Sequence, residues 1–83
     1  MIGVFIIDDS ALVRQILGEL ITAAPDMRLL GTAPDPVVAR AALEKAWPDV
    51  FLLDLEMPRQ DGLSFLRQLM SERPTPVVVF AAG

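Results

Sequence analysis

Residues 6–15 read IIDDSALVRQ, and they mark the point where a buried apolar run meets two adjacent carboxylates. The run Val4–Ile7 is short and rich in β-branched residues, which is typical of a buried strand. Asp8 and Asp9 follow the run directly, and Ser10 is a favourable N-cap for a helix. Two neighbouring carboxylates at the end of a buried strand repel each other and lose hydration. The stretch therefore predicts a strand, an acidic turn and a helix, and it raises the question of what binds the acid pair.

The rest of the chain repeats the alternation of strand and helix. Further strands are predicted at 27–33, 50–53 and 76–80, and helices are predicted to begin after Ser10, after Asp35 and after the Asp61-Gly62 turn. The resulting order is β-α-β-α-β-α-β. This order favours an α/β fold with a doubly wound parallel sheet, right-handed crossovers and helices on both faces.

Helical periodicity predicts which side of each helix faces the core. In the first helix the predicted apolar face is Val13, Ile16, Leu17, Leu20 and Ile21, with Arg14, Gln15, Gly18 and Glu19 on the other side. In the second helix the predicted core residues are Val38, Ala41, Ala42 and Ala46. In the third helix they are Leu63, Leu66, Leu69 and Met70.

Composition excludes several classes of function. The chain has 83 residues, of which 53% are hydrophobic, and its net charge is −4. This apolar content is high for one small domain, so it indicates strands buried on both faces or apolar surface that contacts another molecule. Without a basic stripe we expect no nucleic-acid binding. Without an apolar run of about 18 residues or a secretory signal we expect no membrane span and a cytoplasmic location.

The absence of Cys and His narrows the chemistry further. It excludes disulfides, thiolate nucleophiles, zinc–thiolate sites, serine-hydrolase triads and histidine metal sites within this chain. Any chemistry must come from carboxylates, hydroxyls, Lys, Arg, backbone groups or a bound cation.

Carboxylates follow two of the predicted strands at the same edge of the sheet. Asp8 and Asp9 follow the first strand and Asp54 follows the third, and these strands are commonly neighbours in a doubly wound sheet. We expect like charge to raise the pKa of at least one of the acids, and Mg²⁺ to relieve the repulsion through oxygen ligands. The alternative is that these residues serve only as turn or helix-start charges. Asp61-Gly62 is interpreted as a turn, and Trp47 as packing at a helix end.

Two stretches resemble the receiver domain of bacterial two-component response regulators. They are VFIIDDSALVRQ (4–15) and DVFLLDLEMPRQDGL (49–63), and the resemblance covers the whole chain. It implies a flavodoxin-like, CheY-like fold. DDSALVRQ, GTAPDP (31–36) and DLEMPRQDGL further resemble the N-terminal receiver of the chemotaxis protein-glutamate methylesterase, CheB.

The resemblance implies a role for each acid. Asp54 would be the phosphoacceptor, which a CheA-type sensor histidine kinase or acetyl phosphate would phosphorylate. Asp9 would ligate Mg²⁺ directly, Asp8 would act through water, and Glu56 would lend its backbone carbonyl. In a CheB-type protein this module would regulate a C-terminal esterase, so no esterase activity is expected from this chain alone.

The chain departs from the family pattern in two respects. Ala81 stands where relatives carry Thr or Ser, and there is no fifth strand to supply the usual Lys, for which Lys45 is no substitute. We therefore expect residues 1–83 to form a receiver that lacks its usual last third, with four strands and three helices. Val77–Phe80 would then be an apolar sheet edge, which predicts self-association.

Two alternatives to a phosphoacceptor stay open. One is a degenerate or truncated receiver that oligomerises without phosphotransfer. The other is a Mg²⁺-dependent phosphohydrolase with an aspartate nucleophile, a class that usually carries a second Asp at the position where Glu56 stands.

Overall fold

The structure is a computed structural model of the 83-residue chain, and it describes residues 1–54 and 62–80. The predicted alternation of strands and helices is confirmed, and the fold is α/β and flavodoxin-like. The elements are β1 (Ile2–Ile7), α1 (Ala11–Ala23), β2 (Met27–Ala33), α2 (Pro36–Leu43), β3 (Val50–Asp54), α3 (Gly62–Glu72) and β4 (Val77–Phe80). No helix in these two ranges is long and apolar enough to cross a bilayer.

The described strands form one parallel sheet in the order β2-β1-β3-β4. In this sheet β1 is central and pairs with both β2 and β3. Ile7 lies opposite Ala33 on one side and opposite Leu53 on the other. Because the strands are parallel, the residues that follow Ile7 and Leu53 meet at the same edge of the sheet. This register places Asp8 beside Asp54.

Most of the core lies between one face of the sheet and the helices α2 and α3. The ring of Phe51 occupies the middle of this core. It makes edge-to-face contacts with Phe5, Trp47 and Phe65, with ring centroids 6.2, 5.7 and 6.4 Å apart. The Trp47 indole N–H donates to Thr75 Oγ1 over 2.8 Å, so the polar edge of this ring is also satisfied. The interpretation of Trp47 as a packing residue is confirmed.

The predicted face of α1 is confirmed only in part, because Val13, Leu17 and Ile21 are half-buried and other members of the set are not. Gly18, which the periodicity assigned to the outer side, is buried against the sheet, whereas Ile16 and Leu20 are 48% and 62% exposed. The reason is close packing, because a Cβ at position 18 would lie 3.3 Å from Leu29 Cδ2. Gly18 lets α1 approach β2 more closely than a larger residue would, and the helix turns that side inward.

The inner faces of α2 and α3 also differ from the prediction. The buried residues of α2 are Pro36, Ala39 and Leu43, and only Ala42 of the predicted set packs against the core. α3 buries Leu69, as predicted, together with Phe65, whereas Met70 is exposed. α2 begins after Asp35 as predicted, so the difference lies in which neighbouring residues face the sheet, and a step of one residue turns a side chain by about 100° around the helix. The predicted residues that prove exposed are Val38, Ala41 and Ala46, while the side chains of Leu63 and Leu66 lie outside the described part of the chain.

We expect Gly31→Ala to destabilise the fold by about 1–3 kcal/mol. A Cβ at position 31 would lie 2.9 Å from Phe5 Cε2, and Phe5 is buried, so its ring has little room to move. Gly18→Ala is the comparison, and it should change stability little because crowding against Leu29 opposes the gain in helix propensity. Its Cβ meets the flexible tip of Leu29 at 3.3 Å, and Ala favours a helix over Gly by about 1 kcal/mol. Urea denaturation measures both, and a wild-type midpoint for Gly31→Ala would contradict the expectation.

Candidate metal centre

Three carboxylates converge at the carboxyl edge of β1 and β3. One carboxylate oxygen from each of Asp8, Asp9 and Asp54 lies within 4.8 Å of the others. Asp8 is 1% exposed and Asp54 5% exposed, whereas Asp9 is exposed. The predicted convergence from two strand ends is confirmed, and the cluster opens to solvent on the side of Asp9.

Three hydrogen bonds hold Asp8, and one of its carboxylate oxygens takes part in none of them. Its backbone N–H donates to the Ala33 carbonyl over 3.0 Å, in continuation of the β1–β2 ladder. Its Oδ1 accepts from the Ser10 backbone N–H at 2.7 Å, and its own carbonyl accepts from Arg14 Nη1 at 2.7 Å. Its Oδ2 is buried and has no hydrogen-bond partner in the described structure. Asp8 therefore uses one carboxylate oxygen in the turn, and its other oxygen stays unsatisfied in the described structure.

The helix that follows is capped as the sequence predicts. Ser10 is the N-cap of α1, and its Oγ accepts from the Val13 backbone N–H over 3.2 Å. Asp9 therefore does not take the N-cap position. If the acids served only as turn or helix-start charges, the bond to Oδ1 of Asp8 would be explained. The buried Oδ2 of Asp8 and the approach of Asp54 would not be.

The electrostatic environment raises the pKa of Asp8. Burial is the largest cause, because it removes water from the charged form, and the negative charges of Asp54 and Asp9 act in the same direction. The hydrogen bond from Ser10 and the positive charge of Arg14 oppose the rise. The sequence predicted such a rise from like charge, and the direction is confirmed, but burial contributes more than repulsion.

The residues present fit a hard divalent cation. A buried carboxylate oxygen without a hydrogen-bond partner is uncommon in proteins and calls for an explanation. Asp8 Oδ2 is such an atom, and it belongs to a cluster of three acids whose oxygens are hard ligands. Mg²⁺ binds through one or two carboxylates and retains several waters, which suits a cluster that is open on one side.

Several predicted site residues lie outside the described ranges. They are Glu56, whose backbone carbonyl the resemblance assigns to the metal, Asp61 of the predicted turn, and Ala81. Lys45 follows α2 on the way to the start of β3, so it lies toward the amino edge of the sheet, opposite the acids. That position agrees with the prediction that Lys45 does not replace the family lysine.

Sequence reasoning missed the contact that Arg14 makes with Asp8. The periodicity of α1 assigned Arg14 to the outer side, whereas it is half-buried and donates to the Asp8 carbonyl. The available signal was spacing, because a long side chain in the first turns of a helix can reach back to the residues before the cap.

Known proteins resemble this chain over almost its whole length. The response regulator receiver domain family matches residues 4–83. A protein-glutamate methylesterase/protein-glutamine glutaminase of Chromobacterium violaceum is 54% identical over 78 residues, which cover 94% of this chain and 22% of that protein. This chain thus spans about a fifth of the length of the curated relatives it matches.

Solved structures share the fold. The response regulator domain of Thermotoga maritima CheB has a TM-score of 0.88 and 35% identity, over 99% of this chain and 61% of that one. A chain in the crystal structure of the P1 domain of CheA3 in complex with CheY6 from R. sphaeroides has a TM-score of 0.85 and 29% identity. That match covers 99% of this chain and 64% of the other.

We expect Asp8→Asn to stabilise the cation-free protein at neutral pH by about 1–3 kcal/mol, because it removes an unpaired buried charge. Because the pKa of Asp8 is raised in the folded state, ionisation of Asp8 disfavours folding. This cost is absent below the unfolded value of 3.8 and grows as the pH rises through the folded value.

Urea denaturation in EDTA at pH 7 and near pH 3.5 tests this expectation. The gain from Asp8→Asn should be large at pH 7 and small at the lower pH. Asp26→Asn, at an exposed position, is the control and should change little at either pH. A loss of stability for Asp8→Asn at pH 7 would contradict the assignment of an unpaired buried charge.

Proposed function

The chain belongs to the response regulator receiver domain family, and from this membership we propose that it is a two-component signalling module phosphorylated on Asp54. The observation that carries the proposal is the cluster of Asp8, Asp9 and Asp54 at the carboxyl edge of the sheet. Within it, the buried Oδ2 of Asp8 has no hydrogen-bond partner in the described structure. This cluster is the arrangement that a cation-assisted phosphoryl transfer requires.

The proposed step is nucleophilic attack by an Asp54 carboxylate oxygen on phosphorus. A new O–P bond forms, and the bond from phosphorus to the kinase histidine nitrogen, or to the acetate oxygen of acetyl phosphate, breaks. The electron pair stays with the leaving nitrogen or oxygen. Such transfers depend mainly on positioning and on charge stabilisation. The rigid end of β3 supplies the positioning, because it holds Asp54 almost completely buried beside Asp8.

The metal part of the proposal assigns Mg²⁺ to the same acids. Asp9 and Asp54 would bind it directly, Asp8 would act through water, and the backbone carbonyl of Glu56 would complete the protein ligands. When bound, Mg²⁺ neutralises charge on the phosphoryl oxygens. The support is the fit of the three carboxylates to a hard cation.

The proposed partner is a CheA-type sensor histidine kinase. One structural neighbour comes from a complex of the P1 domain of CheA3 with CheY6, and the curated relatives are protein-glutamate methylesterases. We propose that this chain is the regulatory part of a CheB-type chemotaxis methylesterase. With that role we expect a cytoplasmic location, no binding of nucleic acid or membrane, and no esterase activity from this chain alone.

Phosphorylation is tested by intact mass measurement after incubation with acetyl phosphate and Mg²⁺. The expected result is the mass gain of one phosphoryl group in the wild type, and none in Asp54→Asn or when EDTA replaces Mg²⁺. Asp26→Asn is the matched control and should gain the group normally. A gain that persists in Asp54→Asn would place the phosphoryl group elsewhere, and no gain in the wild type would favour the interaction-domain alternative.

The alternative role, oligomerisation, is supported by the exposure of β4. In the described structure β4 pairs only with β3, and Val78 and Val79 are 54% and 46% exposed. An apolar strand at a sheet edge is a template for pairing with another chain. We propose that the protein self-associates through this edge, with or without phosphotransfer.

Sedimentation velocity over a range of protein concentrations tests self-association. We expect the wild type to associate as its concentration rises, and Val78→Lys to remain monomeric because charge on an edge strand opposes pairing. Val37→Lys is the control, since Val37 is 67% exposed on α2, away from β4. A wild type that is monomeric throughout would exclude association through β4.

A further inference from the structure

Arg14 closes a ring of hydrogen bonds between the end of β1 and the start of α1. Its backbone N–H donates to the Ser10 carbonyl over 3.0 Å, and its Nη1 donates to the Asp8 carbonyl over 2.7 Å. The Ser10 N–H in turn donates to Asp8 Oδ1 over 2.7 Å. The ring therefore runs from Asp8 to Ser10 to Arg14 and back to Asp8, and it ties the helix to the acidic turn.

The bond from Arg14 acts on the peptide unit that joins the two adjacent acids. The Asp8 carbonyl lies in the plane of the peptide bond between Asp8 and Asp9, so a donor fixed to that oxygen fixes the plane. The Asp8 N–H is already held by Ala33, and its Oδ1 by Ser10. With the carbonyl held as well, the direction of Oδ2 and the path of the chain into Asp9 are both set.

The charge of Arg14 works against the site that its hydrogen bond organises. A guanidinium close to the acids repels an incoming cation, so on charge alone the loss of Arg14 should tighten cation binding. On positioning alone, the loss of Arg14 should weaken cation binding. Groups that hydrogen-bond to metal ligands typically change metal affinity by about 10- to 100-fold when they are mutated. The two effects have opposite signs, which makes them separable.

We propose that Arg14 is a positioning residue for the cation site. It holds the Asp8–Asp9 peptide so that Asp9, a direct ligand, and Asp8, which acts through water, are both oriented toward the metal. The inference rests on the proposed binding of Mg²⁺ by Asp8, Asp9 and Asp54. It extends that site to a side chain on α1 that acts through its hydrogen bond to the Asp8 carbonyl.

Isothermal titration of the full chain with MgCl₂ at constant ionic strength tests the inference through the dissociation constant. Arg14→Met keeps an apolar stem of similar shape without donor or charge, and Arg14→Lys keeps the charge and a long donor. Arg28→Met removes one exposed positive charge on β2 and is the control. Circular dichroism establishes that each variant is folded.

We expect Arg14→Met to bind Mg²⁺ about tenfold more weakly than the wild type, in spite of the lost positive charge. Arg14→Lys should recover most of this affinity, and Arg28→Met should bind as the wild type does. If Arg14→Met bound Mg²⁺ more tightly, Arg14 would act mainly through its charge, and equal affinity would mean that positioning contributes no net gain. Either result would overturn the inference. Equal weakening in Arg14→Met and Arg14→Lys would overturn it too, because the long donor of Lys would then have restored none of the affinity for Mg²⁺.

The wild-type titration separates this inference from the proposed function. Absence of Mg²⁺ binding by the wild type would defeat the proposed metal site and the inference together. Binding by the wild type with unchanged affinity in Arg14→Met would defeat the inference alone.

Discussion

The burial of the Asp8 carboxylate at the end of the central strand is the constraint on which the rest of the structure depends. β1 lies between β2 and β3, so the residue that follows Ile7 has little access to water. A carboxylate in that position needs hydrogen bonds or a counter-ion. Ser10 satisfies one oxygen, and the other is buried without a hydrogen-bond partner in the described structure. Without a cation the cluster is a source of instability within a small fold.

That local instability is informative because elsewhere in the described structure the residues suit the elements in which they lie. The strands are apolar, Ser10 and Asp35 cap the helices they precede, and the Phe51 ring lies in a well-packed core. Proteins that satisfy these rules nearly everywhere usually break them at functional sites. The raised pKa of Asp8 and its unpaired oxygen mark the carboxyl edge of β1 and β3 as such a site.

The orientation of α1 links the packing of the helix to the acidic turn. Gly18 faces the sheet, and the same rotation brings Arg14 toward the Asp8 carbonyl. It also leaves Ile16 and Leu20 on the surface, although both belong to the apolar face that periodicity predicts. The close approach at Gly18 and the contact made by Arg14 are thus two consequences of one helix rotation.

The sequence by itself determined the order of the elements, the parallel sheet and the meeting of Asp8, Asp9 and Asp54, because all three follow from local patterns and the direction of the strands. Tertiary structure decided which side of each helix is buried, since that depends on how the helix packs against the sheet, as α1 does against β2 at Gly18. It also decided that Asp8 uses one oxygen for the turn and leaves the other unpaired. The reach of Arg14 back to the Asp8 carbonyl is likewise tertiary, because a hydrophobic pattern records which residues are apolar and not where a long polar side chain finds its acceptor.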